Sequence, residues 1–335
     1  MPRPSTFDFR LGLIGYPLGH SLSPKIHAAA LDACGLEGEY ALYPIAPDDS
    51  AGLKNLLARV RSGEIHGMNV TIPHKQNVIP LLDELTPTAQ AIGAVNTIYF
   101  RNDHLIGDNT DAPGFLADLR KFLASVDQQE NFPSVTPALA PGASVARRAV
   151  SPTKQSPRTV RGLLREDHPR NDEGTETPRH GEKNALVLGA GGSARAVVYA
   201  LVNDGWQVTI AARREEQAHQ LAASYSSHQL QITNYEEFIF HLSSFILVIN
   251  ATPLGMTPNV NHSPWPENLS FPRHAAIYDL VYNPRETKLV RDARAASLPA
   301  TTGLGMLIEQ AALAFEMWTG YAPPRDTLFA ALGER

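Results

Sequence analysis

Apolar residues along the chain recur in two rhythms. Short runs at residues 11–15, 40–46, 67–72, 184–188, 207–211, 246–250 and 276–281 have the length of strands. Residues 91–99 run into another strand, and residues 105–111 end a short one in a polar cluster. Between these runs apolar positions return at helical spacing: Leu53, Leu56, Leu57 and Val60 within 49–61, and Phe115, Leu119, Phe122 and Leu123 in a helix ending near Ala124. The same spacing places Ala196, Val197, Ala200 and Leu201 on a helix over 195–203, and Gly303 opens a long apolar helix. Ser23 followed by Pro24 predicts a helix start, with serine as N-cap and proline as first helical residue. Strands alternating with helices predict the α/β class.

The polar residues at strand ends carry the chemistry. In Gly67-Met68-Asn69-Val70-Thr71-Ile72-Pro73-His74-Lys75, Val70 and Ile72 alternate with polar neighbours, as at the end of a half-buried strand. Pro73 cannot donate to a ladder. Asn69, Thr71 and Lys75 therefore sit at or past a strand end and converge on one small polar ligand; an ordinary turn with a solvated lysine fits this segment equally well. Asn96 is presented where 91–99 enter a further strand, and Asp111 follows the end of another. Free N–H groups at the helix start near Ser23, with the Ser21 and Ser23 hydroxyls, suit a carboxylate or phosphate; the pair alone also fits a plain cap. Together these residues describe a receptor for a hydroxylated carboxylic acid. No spacing of His, Cys and Asp resembles a metal site, and His27 reads as a packed or surface residue.

Composition narrows the setting. The 335 residues suffice for two cores, and a net charge of −5 gives no electrostatic case for nucleic acid or an anionic membrane. The single cysteine, Cys34, cannot form an internal disulfide and reads as core filler, so a reducing cytoplasm is expected. No apolar run approaches a membrane span, and residues 1–10 lack a signal-peptide pattern. Residues 125–183 differ in character: prolines at 133, 137, 141, 152, 157, 169 and 178, one aromatic and a basic centre predict a disordered insertion, read as a tolerated surface loop or as a docking arm for an acidic partner.

Beyond it lies a nucleotide-binding pattern. The run 184–188 enters Gly189-Ala190-Gly191-Gly192-Ser193-Ala194, a G-x-G-x-x-G/A turn framed by strand and helix. Small residues there let the backbone approach a pyrophosphate at a helix N-terminus. The next strand ends in Ala211-Ala212-Arg213-Arg214, without the acid that would hold an adenosine 2′-hydroxyl. Two guanidinium groups match a 2′-phosphate instead, which indicates NADP. Loops follow the strand ends at Thr252 and at Tyr282, where a doubly wound sheet binds ligand, and Met306 at the last helix start either borders a nicotinamide or fills core.

The segments 15–27, 67–75, 91–97, 107–111, 189–196, 250–256, 278–284 and 303–312 together resemble the shikimate/quinate dehydrogenase family, in its order and over the chain except 1–9 and the insertion. The resemblance implies an N-terminal α/β substrate domain, residues 1–110 with 304–335, and a Rossmann-type NADP-binding domain, 111–303, with a cleft between them. It implies reversible, NADP-dependent reduction of 3-dehydroshikimate to shikimate, a step towards chorismate and the aromatic amino acids. Lys75 and Asp111 would be the catalytic pair. Ser21, Ser23 and Tyr282 would hold the carboxylate, and Asn69, Thr71, Asn96, Asp111 and Gln310 the ring hydroxyls. The cofactor would lie against residues 189–194, Arg213, Arg214, Thr252, Leu280, Gly303 and Met306. A monomer or homodimer is expected. Quinate or dual-specificity dehydrogenases, and a catalytically silent ligand sensor on the same fold, are the alternatives; retention of Lys75, Asp111 and the glycine turn argues against the sensor. Ala112, Ala212 and Thr302 depart from the family pattern.

Overall fold

The computed structural model describes residues 8–128 and 183–333, apart from 224, 227, 235 and 236. Two six-stranded sheets organise them. The first contains β1 (Phe9–Gly15), β2 (Gly38–Pro44), β3 (Gly67–Val70), β4 (Glu84–Leu85), β5 (Thr97–Arg101) and β6 (His104–Asp108), in the order β2-β1-β3-β5-β6-β4. Its β1 pairs parallel with β2 and β3, whereas β3/β5 and β5/β6 are antiparallel. The second contains β7 (Asn184–Leu188), β8 (Gln207–Ala211), β9 (Leu230–Thr233), β10 (Leu247–Asn250), β11 (Ala276–Asp279) and β12 (Ala300–Thr302). It is wholly parallel, in the order β12-β11-β10-β7-β8-β9. Such an order reverses direction between β7 and β10, the crevice where open α/β sheets take ligands. The expected α/β architecture with a doubly wound second sheet is therefore present.

The helices are α1 (Ser23–Ala33), α2 (Ser50–Arg61), α3 (His74–Asn77), α4 (Pro87–Ile92), α5 (Asp111–Asp127), α6 (Gly192–Asn203), α7 (Glu215–Ala222), α8 (Lys288–Ala295), α9 (Leu304–Thr319) and α10 (Arg325–Ala331). Two of them join the sheets. Phe115, Leu119, Leu123 and Val126 of α5 pack with Val187, Val197 and Tyr278 in a core on the second sheet. Ile308, Ala311 and Phe315 of α9 pack with Leu11, Ile26 and Ala30 on the first, while Met306 at its start belongs to the core on the second. Asp111 at the start of α5 and Gln310 on α9 thus sit where the two sheets are joined.

Several expectations need correction. β3 is not half-buried: all four residues are buried because it is a central strand, and Ile72, beyond its end, is 57% exposed. Ser23 is not the N-cap of α1. Leu22 holds that position without a side-chain cap, and Ser21 Oγ accepts the Ser23 N–H at 3.2 Å. Helix α6 begins at Gly192, three residues earlier than its apolar spacing indicates, because the glycine turn feeds directly into it. Helix α5 runs to Asp127 rather than Ala124, with Val126 fully buried. At the other end Lys183 Nζ donates to Asp204 Oδ2 at 3.0 Å. The rest of the expected insertion lies outside the described residues.

Candidate active site

Strand geometry brings the polar residues together. Asn69 of β3 stands opposite Thr97 of β5, which stands opposite Asp108 of β6, so three strand ends share one side of the sheet. The residues past those ends are buried: Asn69, Lys75, Asn96, Thr97, Thr110, Asp111 and Gln310 all lie below 9% exposure. Burial of that much polarity is tolerated only when hydrogen bonds replace water, and here they do. Asn96 is the centre. Its Nδ2 donates to Asp111 Oδ1 at 2.9 Å, Thr110 Oγ1 at 3.0 Å and Gln310 Oε1 at 3.1 Å. Its Oδ1 accepts the Thr110 N–H at 2.7 Å and the Thr97 hydroxyl at 3.0 Å. Asn69 Oδ1 accepts the Tyr40 hydroxyl at 2.8 Å, and its Nδ2 donates to the Asn96 carbonyl at 3.2 Å.

Lys75 lies on α3, just past β3, and its Nζ donates to Asp111 Oδ2 at 2.5 Å. Asp111 is the first residue of α5, where the helix dipole favours a carboxylate. Asn109 Oδ1 accepts the N–H groups of Asp111 at 3.0 Å and Ala112 at 3.3 Å. The turn is therefore closed by Asn109, and Ala112 is an ordinary buried helical residue. On its other side Lys75 Nζ donates to Ser193 Oγ at 3.3 Å. The glycine turn meets the same side chain: a Cβ at Gly192 would stand 3.3 Å from Lys75 Cβ. One ammonium thus bridges the polar pocket and the dinucleotide-type turn.

Around this pair, Ser23 is buried, while Ser21, Thr71 and Tyr282 are partly exposed. Burial, helped by the negative charge of Asp111, raises the Tyr282 phenol above its ordinary value, so it remains a hydrogen-bond donor. Burial likewise holds Tyr40 well above its ordinary value.

The second sheet fits a dinucleotide. Gly189 has φ +109°, and a Cβ there would stand 3.0 Å from Thr252 Cγ2 and 3.2 Å from the Ala251 carbonyl, so glycine is required twice over. A Cβ at Gly191 would meet nothing within 4 Å. Gly191 is also the N-cap of α6, which no side chain caps, and its first turn offers N–H groups to an anion. Ala194 is fully buried, closing helix on sheet. Arg213 and Arg214 are exposed and neither guanidinium is paired among the described residues. Gly303 abuts Leu280, since a Cβ at Gly303 would stand 2.4 Å from the Leu280 carbonyl oxygen. Met306 is 6% exposed.

Sequence reasoning missed Tyr40, Thr97, Asn109 and Thr110, whose hydrogen bonds hold the pocket's walls. Asn109 and Thr110 stand inside the polar run 107–111, which was signal enough; Tyr40 lies in an apolar run, and only the strand pairing reveals it. His27 does pack, with 0% exposure, stacked on Tyr40 at 4.2 Å between centroids. Among the described residues no group of His, Cys, Asp and Glu could hold a metal ion, and no helix is long and apolar enough to cross a membrane.

Known proteins share the sequence and the fold of this chain. Residues 13–98 match the shikimate dehydrogenase substrate-binding domain, residues 174–287 match shikimate/quinate 5-dehydrogenase, and residues 303–329 match the shikimate 5′-dehydrogenase C-terminal domain. A shikimate dehydrogenase (NADP+) from Salinibacter ruber is 36% identical, over 96% of this chain and 95% of that protein. The shikimate 5-dehydrogenase of Thermus thermophilus, solved with NADP(H) and shikimate, superposes with a TM-score of 0.71 at 33% identity, covering 96% of this chain and 98% of that one. A quinate dehydrogenase from Corynebacterium glutamicum, solved with NAD, gives a TM-score of 0.73 at 26% identity, covering 97% and 98%.

Proposed function

The chain belongs to the shikimate dehydrogenase family, and on that premise we propose that it interconverts 3-dehydroshikimate and shikimate with NADP. The observation that carries this reading is the placement of Lys75. Its ammonium contacts Asp111 in the polyol-type pocket and Ser193 of the glycine turn. A proton donor so placed stands where a ring carbonyl and a nicotinamide would meet.

When bound, reduced NADP supplies the hydride. Lys75 donates a proton to the alkoxide oxygen as it forms, and recovers it in the reverse direction. Asp111 holds the ammonium and accepts a ring hydroxyl. Asn69, Thr71, Asn96 and Gln310 orient the remaining hydroxyls, and Ser21, Ser23 and Tyr282 donate to the carboxylate. Residues 189–194 take the pyrophosphate. Arg213 and Arg214 take the 2′-phosphate, while Thr252, Leu280, Gly303 and Met306 border the nicotinamide half. The division into a substrate unit, 1–110 with 304–335, and a cofactor unit, 111–303, is part of this reading, supported by the two sheets. The lone Cys34 supports a cytoplasmic setting.

The test is a matrix of shikimate and quinate, each with NADP+ and NAD+, followed by absorbance of the reduced nicotinamide. Shikimate with NADP+ should give the highest kcat/KM. Comparable efficiency on quinate would overturn the narrow substrate, and no reduction in any arm would leave a ligand sensor.

A further inference from the structure

One buried carboxylate has no part in that scheme. Asp279, at the end of β11, is fully buried and faces no cation among the described residues. It stands in register with Asn250, the last residue of β10. Its Oδ1 accepts Asn250 Nδ2 at 2.8 Å and the Val281 N–H at 3.0 Å, and its Oδ2 accepts the Thr287 hydroxyl at 2.6 Å. We infer that Asp279 is a positioning residue that sets the cofactor loop after β10 and the Tyr282 loop after β11 against each other.

The hydrogen bonds run outward from Asp279 in two directions. Towards the cofactor, Asn250 is used completely. Its Nδ2 also donates to the Leu254 carbonyl at 3.2 Å, and its Oδ1 accepts the Thr252 N–H at 2.8 Å and hydroxyl at 2.7 Å. The Thr252 hydroxyl in turn accepts the Leu254 N–H at 3.2 Å. The Thr252 methyl is thereby pressed against the glycine turn at Gly189, in the contact a Cβ would close to 3.0 Å. Towards the substrate, the bond to Val281 fixes the backbone between Leu280 and Tyr282. Thr287 anchors the far end of that loop, because its hydroxyl also accepts the Val290 N–H at 3.2 Å and caps α8. An amide and a hydroxyl with every group engaged have one arrangement available. Removing the carboxylate takes the acceptor from one Asn250 N–H, from the Val281 N–H and from the Thr287 hydroxyl, leaving Asn250 Nδ2 only its bond to Leu254, and both loops lose their shared reference.

This inference rests on the proposed function, so its test reads binding as well as turnover. NADP+ affinity is measured by calorimetry, with KM for shikimate and thermal melting alongside, for the full chain and for Asp279→Ala and Asp279→Asn. Asparagine presents an acceptor to Asn250 and Val281 and a donor to Thr287, so Asp279→Asn should remain within about twofold of wild type. Asp279→Ala should raise both the Kd for NADP+ and the shikimate KM by about tenfold or more. If Asp279→Ala does not fold, Asn250→Ala replaces it, expected to weaken NADP+ to the same extent. An alanine variant that melts lower yet binds NADP+ and shikimate as wild type does would overturn the inference and leave Asp279 a stability residue. Asparagine and alanine variants weakened equally would also overturn it. If the wild-type protein fails to bind NADP+, the proposed function itself falls.

Discussion

Arg213 illustrates what a single residue adds. It is exposed and unpaired among the described residues, so the fold does not require it. Replacing Arg213 by Ala should leave the melting temperature unchanged and raise the KM for NADP+. Loss of one charge-assisted contact is worth about 1.5–3 kcal/mol, roughly one to two decades. Activity with NAD+ should stay as it is; equal losses with both cofactors, read by steady-state kinetics, would remove the arginine from the 2′-phosphate. Residue-level reading of the sequence goes furthest where a residue's place past a strand end limits what it can reach, as with Lys75 and Asp111, which the fold brings to 2.5 Å. It fails where a side chain has several. Ser23 satisfies the rule for an N-cap, yet Leu22 takes the position and Ser21 Oγ receives the Ser23 N–H. Tyr40 looks like strand filler until pairing with β1 brings it beneath Asn69.

At the scale of elements, burial makes two groups report pH in opposite directions. His27 of α1 is fully buried and its ring nitrogens make no hydrogen bond among the described residues; burial pushes its imidazole down to about 3, with the neighbouring Asn69 side chain opposing. The unfolded chain binds the proton first, so this group's contribution is complete above pH 6.5 and is lost as pH falls towards 3. His27→Phe keeps a ring against Tyr40 and should melt higher than wild type near pH 4, with the gap narrowing towards neutrality. Asp279 of β11 is the reverse case. Burial raises it from 3.8 to about 6, with the Thr287, Val281 and Asn250 hydrogen bonds opposing. Its contribution is complete below 3.8 and is lost as pH rises through about 6, at a cost of about 3 kcal/mol at neutral pH. Asp279→Asn should therefore flatten the upper part of the stability–pH curve. Melting curves across this range, in wild type and both variants, check the two signs; a His27→Phe curve parallel to wild type would contradict the first. Neither effect is legible in sequence, because each depends on how completely a strand or helix is covered. Helix ends are similarly hidden: α6 starts at Gly192 because the glycine turn, not apolar spacing, sets its first residue.

The whole molecule depends on α5 and α9, which bind both sheets together. Asp204 accepts both Arg120 of α5, at 2.6 Å, and Lys183 before β7, at 3.0 Å, so the described ends flanking 129–182 are tied to one carboxylate. Val126 adds a fully buried side chain to the second-sheet core. Replacing residues 129–182 by a short Gly/Ser linker keeps all of these contacts, and the closure entropy of a flexible linker changes by only about 0.6 kcal/mol per doubling of its length. Melting temperature and both KM values should hold. An excision starting at Val126 should cost about 1–3 kcal/mol more, for the lost core side chain. Calorimetric unfolding of the two deletions separates them; equal losses would mean that 129–182 itself supports the fold. The two-sheet plan was legible because strand–helix alternation and the framed glycine turn are long, redundant signals. The helix pair that unites the sheets was not, because spacing shows that a face is apolar without showing what covers it.

Under the proposed function Lys75, between Asp111 and Ser193, moves the proton of the reaction. Steady-state oxidation of shikimate by NADP+, compared between wild type and Lys75→Ala, tests it most directly. The geometry predicts that kcat falls by about 10²–10⁴-fold while the KM for shikimate changes little. A variant that keeps its kcat and raises only its KM would make Lys75 a binding residue and place the proton donor elsewhere.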